Sequence, residues 1–228
     1  TGLALKRVAI TGAGTINALG SDVPTPLSAM TEGRLGIGPL DMADSDRLSI
    51  RIGGRVREFD QSRYSRQELS LYDRFTQFAL HAADEAVTSS GLAFDGALGD
   101  TTGVVIGTGV GGAQTLDENY ATIFREGKNR VHPLVIPKLM NNAAGSHISM
   151  VHNLRGPNFT VSTACASSNH AMGLAYQMVR SGAATAMLTG GAEAPFSFGG
   201  SKAWEGVRVM AKDACRPFSK TRNGMVQG

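Results

Sequence analysis

A cysteine serves as a nucleophile where its sulfur is reachable, its neighbours are small, and nearby positive charge favours the thiolate. Cys165 stands in the run NFTVSTACASSNHAMGLAYQMVR. The pattern predicts a strand over residues 159–163, a sharp turn, and a helix over 166–180 with Cys165 in its first turn. At that end the helix dipole lowers a thiol pKa, and free N–H groups can hold an oxyanion. Ala164, Ala166, Ser167 and Ser168 are small enough to admit a substrate beside the sulfur. A buried cysteine acting as a small apolar residue would fit the same position, and position alone leaves the two readings balanced. Cys215 lies in the polar run DACRPFSKTRNG, with no such corner, and reads as structural.

A cysteine nucleophile commonly works with a histidine base. The five histidines are His81, His132, His147, His152 and His170. His170 lies five residues along the same helix on another side, and His147 and His152 belong to the preceding helix and its exit. His81 sits on a different helix with no second ligand three or four residues away, so it reads as an ordinary helix residue rather than a metal ligand. None is placed as the base by its spacing, so the base is either remote in the chain or outside it.

Positioning the cysteine requires strands that alternate with helices. RVAI at residues 7–10 reads as a strand, followed by Gly12, Gly14 and Gly20 and a helix from PTPLSAMTEG. Asn17 stands where the third glycine of a dinucleotide-binding loop would be, so these glycines read as a structural turn. Residues 32–66 are polar loop with a short strand over 50–56. A long amphipathic helix runs from Leu69 and stops at Gly91. GVVIGTGVGG is a buried strand ending in four glycines, and AQTLDENYATIFREG is the helix after it. PKLMNNAAGSHISMVHNL reads as one helix, and 184–194 as a further buried strand. The alternation predicts an α/β layered fold with a largely parallel sheet. The helix after Cys165 is apolar or small nearly all round, the mark of a helix covered on every side.

Composition narrows the function. The 228 residues carry 22 Lys and Arg against 19 Asp and Glu, a net charge of +3 that is too small and dispersed for a nucleic-acid footprint. No apolar run approaches the ~20 residues that span a bilayer. Two cysteines do not make a disulfide framework, and the N-terminal residues lack a signal-peptide pattern, which points to a reducing, cytoplasmic setting. Glycine, at 29 residues, is far above its usual ~7% share, so close backbone approaches are expected.

RVAITGAGTINALG, GTGVGG at 107–112, RGPNFTVSTACASSNHAMG, GGAEA at 190–194 and CRPFSKTRNGMVQG occur in that order along the chain. Together they resemble the landmarks of β-ketoacyl-acyl carrier protein synthases of the KAS I/II type. The resemblance implies a thiolase-like layered αβαβα fold built from two similar halves with a mixed, mostly parallel sheet, residues 1–228 being the N-terminal half of that domain. It also implies an acyltransferase. An acyl group moves from a carrier-protein thioester to Cys165, malonyl-acyl carrier protein is decarboxylated, and its carbanion attacks the acyl-cysteine, as in fatty-acid or polyketide elongation. Two catalytic histidines and a lysine come from the second half in that family, so this half alone would be inactive.

By position in the family, Val110, Leu134, Val135, Gly200 and Trp204 line the acyl pocket, and Lys128, Arg130 and Arg208 meet acyl carrier protein. The strand before Cys165 forms the contact of a homodimer. No metal or cofactor of the enzyme's own is implied, since the acyl groups ride on the phosphopantetheine of the carrier protein. A non-catalytic chain-length-factor subunit is the alternative, and the presence of Cys165 argues against it. Ser219, Asn223 and Met225 replace two acids and an aromatic of the family's closing motif. Gln67, Ser70 and Leu71 stand where the family is basic, on a side where carrier protein docks.

Overall fold

The computed structural model describes residues 6–228. In chain order its elements are α1 (Pro24–Thr31), β1 (Gly38–Pro39), β2 (Ile52–Gly53), α2 (Arg66–Leu71), α3 (Arg74–Ser90), α4 (Gly96–Thr101), β3 (Thr102–Gly107), α5 (Ala113–Phe124), α6 (Val135–Leu139), α7 (Ala143–Val151), β4 (Asn158–Val161), α8 (Ser167–Ser181), β5 (Ala186–Gly191) and α9 (Phe198–Val207). β3, β4 and β5 form a parallel sheet in the order β4-β3-β5, with Val105 opposite Phe159 on one side and Thr189 on the other. β1 and β2 make a separate two-residue antiparallel pair.

β3 is buried at all six positions, as expected of a parallel strand with helices on both faces. Val104 and Ile106 point to one face, where they cluster with Ala144 and Ile148 of α7 and with Phe75 and Leu80 of α3. Phe75 is fully buried, a burial worth about 2–3 kcal/mol. The other face of the sheet carries α8, giving an α/β/α stack with the nucleophile's helix against the central strand.

Several expected elements differ in the structure. The strand expected at residues 7–10 pairs with no other strand among the described residues. This segment leaves Ile10 exposed and runs on to pack Gly12 and Gly14 against α3. A Cβ on either glycine would lie within 2.1 Å of a backbone carbonyl oxygen of Ala86 or Ala82. The short strand expected over 50–56 is reduced to Ile52–Gly53.

The helix expected from Leu69 to Gly91 is two helices, α2 and α3. Asp73, 2% exposed, breaks it by capping Phe75 N–H and accepting from both the N–H (2.9 Å) and the hydroxyl (2.6 Å) of Thr115 on α5. A helical Asp73 could not serve both helices. Gly91 ends α3 in the left-handed conformation, as the sequence predicts. The helix expected from Pro137 onward is likewise split into α6 and α7. At the break, Leu139 O accepts from Gly112 N–H (3.1 Å) and Asn141 O from the Thr160 hydroxyl (3.4 Å).

Candidate active site

β4 ends at Val161, and five residues carry the chain through a tight elbow into α8. Ala164 adopts φ +51°, the left-handed region that costs a non-glycine residue about 1–3 kcal/mol and persists where surrounding contacts enforce it. The enforcing contacts come from Ser167. Its hydroxyl donates to Ala164 O (2.6 Å) and accepts from Thr163 N–H (2.9 Å), while Ala166 N–H and Ser167 N–H close back onto Thr163 O and Ala164 O at 3.1 Å each. Ser167 is buried, so it fastens the elbow instead of admitting substrate, which corrects the role expected of it.

Cys165 is exposed, carries a free thiol, and lies just before Ala166, the N-cap residue of α8. It therefore precedes the first helical turn instead of belonging to it. Of the N–H groups around it, those of Ala166 and Ser167 are already paired. The Cys165 N–H has no acceptor among the described residues and remains available to an oxyanion.

Two glycines let α8 come down onto the sheet at this point. A Cβ on Gly107 would lie 2.3 Å from the Ser167 carbonyl carbon, and one on Gly191 would lie 2.7 Å from Ser168 Cβ. Ser167, Ala171 and Ala175 form the seam of small residues against the sheet. Beside that seam Met172, Leu174 and Tyr176 stay at least 40% exposed in this chain. The sequence expects cover on every side of α8, and the described residues supply it on one.

The glycine loop after β3 sits beside the elbow. Glu193, following β5, accepts from Gly109 N–H (2.6 Å), the Thr108 hydroxyl (3.0 Å) and Val110 N–H (3.4 Å), and the Ser162 hydroxyl donates to Gly109 O (3.4 Å). Sequence reasoning missed this carboxylate. The signal was present, since a lone acid at the exit of a buried strand needs donors to offset its desolvation.

No histidine among the described residues hydrogen-bonds the Cys165 thiol. His81 Nε2 lies 2.5 Å from Ser21 O and its Nδ1 lies 2.8 Å from Arg63, and His152 lies 3.0 Å from the Asp84 carboxylate. His132 accepts from Leu134 N–H, and His147 stands edge-on to the Tyr72 ring, where burial holds its pKa below the usual imidazole value. His170 is exposed on α8.

A family model described as "Beta-ketoacyl synthase, N-terminal domain" matches residues 5–228. The chain belongs to the β-ketoacyl synthase family. It is 40% identical over 223 residues to nodulation protein E of Rhizobium sp. (strain N33), covering 98% of this chain and 56% of that protein. It is 35% identical over 230 residues to 3-oxoacyl-[acyl-carrier-protein] synthase 2 of Synechocystis sp., covering 98% and 55%. Among solved structures, the ishigamide ketosynthase/chain length factor superposes with a TM-score of 0.90 at 25% identity, covering 98% of this chain and 56% of that one. The fold is thus the thiolase-like layered α/β fold of ketosynthases. The chain spans about half the length of the curated relatives it matches.

The expected acyl-pocket residues lie on neighbouring elements. Val110 is in the glycine loop and 60% exposed, Leu134 caps α6, Val135 is buried in its first turn, and Gly200 and Trp204 are on α9. α5 contacts both α6 and α9, and its Asp117 accepts from Gly199 N–H at 3.0 Å. A cavity of about 740 Å³ opens beside Asp73, Arg74, Lys138 and Glu193, and neither Cys165 nor any of those five residues lines it. Lys128, Arg130 and Arg208 are exposed. Lys128 pairs with Glu126 at 2.6 Å, and the other two form no ion pair among the described residues.

The closing run is tied together by its own polar residues. Asn223 donates to Asp213 (2.9 Å), and this bond, followed by that of Arg216, lowers the Asp213 pKa to about 2.

Proposed function

We propose that the protein of which these residues are part catalyses decarboxylative Claisen condensation. Cys165 Sγ attacks the carrier-bound acyl thioester, the acyl–sulfur bond to the carrier breaks, and the carrier thiol leaves. Malonyl-acyl carrier protein then loses CO₂, its carbanion forms a carbon–carbon bond to the acyl carbon, and the Cys165 thiolate departs. The observation that carries this reading is the Cys165 elbow. A free thiol at the positive end of a fifteen-residue helix, with its own N–H unpaired, presents nucleophile and oxyanion donor together.

In this reading residues 1–228 form the first half of the catalytic domain, and the histidines and lysine that complete it come from the rest of the protein. The acyl pocket is built from Val110, Leu134, Val135, Gly200 and Trp204, on the glycine loop, α6 and α9, and is completed on assembly. Among the described residues β4 pairs only with β3, so its outer edge is open for the same strand of a second copy, and Phe159 on it is exposed. Lys128, Arg130 and Arg208 offer cations to an acidic carrier protein bearing phosphopantetheine. Among the described residues no helix is long and apolar enough to cross a membrane. The free thiols agree with a cytoplasmic setting.

The test is limited alkylation with iodoacetamide followed by peptide mapping. Both cysteines are exposed, so access does not separate them, and only Cys165 lies in the field of a helix start. Cys165 is therefore labelled well before Cys215, and preincubation with an acyl thioester protects Cys165 alone. Equal labelling of the two, or no protection, removes Cys165 as the acyl carrier. A second expectation concerns chain length. Trp204→Ala enlarges the pocket and shifts products toward longer acyl chains in the full-length protein. Trp204 is about a third exposed, so the loss of stability stays below the ~3–5 kcal/mol of a fully packed site. An unchanged product profile places Trp204 outside the pocket.

A further inference from the structure

Within the condensing reaction proposed above, we infer that Glu193 is the positioning residue that holds the glycine loop 108–112 at the Cys165 elbow and thereby sets the seat of the acyl chain. A carboxylate offers acceptors only, and every group turned to Glu193 is a donor. Oε2 takes Gly109 N–H, and Oε1 takes the Thr108 hydroxyl and Val110 N–H. The reach of the carboxylate extends one residue further, because the Thr108 oxygen that donates to it also accepts from Gly111 N–H at 3.1 Å. Thr108 is 2% exposed, so its bond to Gly111 N–H is sheltered from water.

The loop so held touches both sides of the site. On one side Gly109 lies against the elbow, where a Cβ on it would stand 3.0 Å from Glu193 Oε2 and 4.0 Å from Ala164 Cα. On the other, Gly112 N–H binds Leu139 O, which fixes α6 with Leu134 and Val135, while Val110 projects outward between them. Glu193 does not touch the thiol. It acts on the acyl group through the backbone it fastens, so its loss should be felt by a substrate with an acyl chain and not by a small electrophile.

The test uses the full-length protein with hexanoyl-N-acetylcysteamine as acyl donor and iodoacetamide as the small probe, both read as mass added to Cys165. In Glu193→Gln the amide N–H₂ must face a donor in either orientation. The KM for acylation rises about tenfold, the size of one lost charge-assisted hydrogen bond, with kcat little changed. Iodoacetamide labelling keeps its parent rate, and Glu193→Asp recovers part of the KM. Thr108→Val, which cuts the bridge to Gly111, moves KM the same way and carries the test if Glu193→Gln does not fold. An unchanged KM in a folded variant overturns the inference, as does a parallel fall in both acylation and iodoacetamide labelling, which marks general loosening. A parent protein that iodoacetamide labels but the thioester does not acylate defeats the condensing reading itself, a separate result.

Discussion

Cys165→Ala in the full-length protein lowers malonyl-dependent elongation by roughly 10³-fold or more, as removal of a covalent nucleophile does in other acyl-transfer enzymes. The structure makes this a clean experiment. The side chain is exposed and makes no hydrogen bond, and alanine at 165 leaves the Ala164 turn and its Ser167 fastening in place. Stability should therefore change by no more than about 0.5 kcal/mol, as for other surface replacements. Elongation and the thermal midpoint are measured on the same preparation. Elongation within about tenfold of the parent would show that the thiol carries no acyl group.

Gly107→Val has the opposite signature, a large loss of stability. The added Cβ falls 2.3 Å and 2.4 Å from the carbonyl carbon and oxygen of Ser167, which are helix backbone and cannot swing aside. Either β3 or the start of α8 must move. The cost is about 3 kcal/mol or more, at the upper end for overpacked interiors, and Gly107→Ala follows in the same direction with a smaller loss. Urea denaturation gives the number. A valine variant as stable as its parent would mean that α8 does not rest on Gly107, and the close seating of the elbow would be wrong.

Much of this arrangement was legible in the sequence where local pattern and tertiary demand agree. The apolar run of β3 and the helical period of α8 were read close to their observed bounds, as was the strand-to-helix corner at Cys165. Where one residue serves two elements, the pattern misled. Asp73 sits in a continuous helical period, yet it caps α3 and binds Thr115 on α5, and those bonds split the helix. The break at Met140–Asn142 answers to Gly112 of the glycine loop and to Thr160 of β4, which bind Leu139 O and Asn141 O, a demand no window of local sequence contains. Ala164 gives no sign of its left-handed backbone, because alanine is not a residue that favours it. The segment at 7–10 has a strand's composition without a strand partner among the described residues. Composition reports what a segment can pair with, and only the assembled neighbours decide whether it does.

The small-residue seam of α8 has a bearing on how the thiol is held in place. Alanine side chains have no rotamers to lose, and the Ser167 hydroxyl is fixed by two hydrogen bonds, so ordering this contact costs little conformational entropy. A seam of leucine or methionine could fill the same gap by repacking and would let the helix settle at several heights above the sheet. Ser167, Ala171 and Ala175 admit one height. The elbow is therefore preorganised: an arriving thioester meets a sulfur whose backbone support is already set, and binding energy is not spent on arranging it.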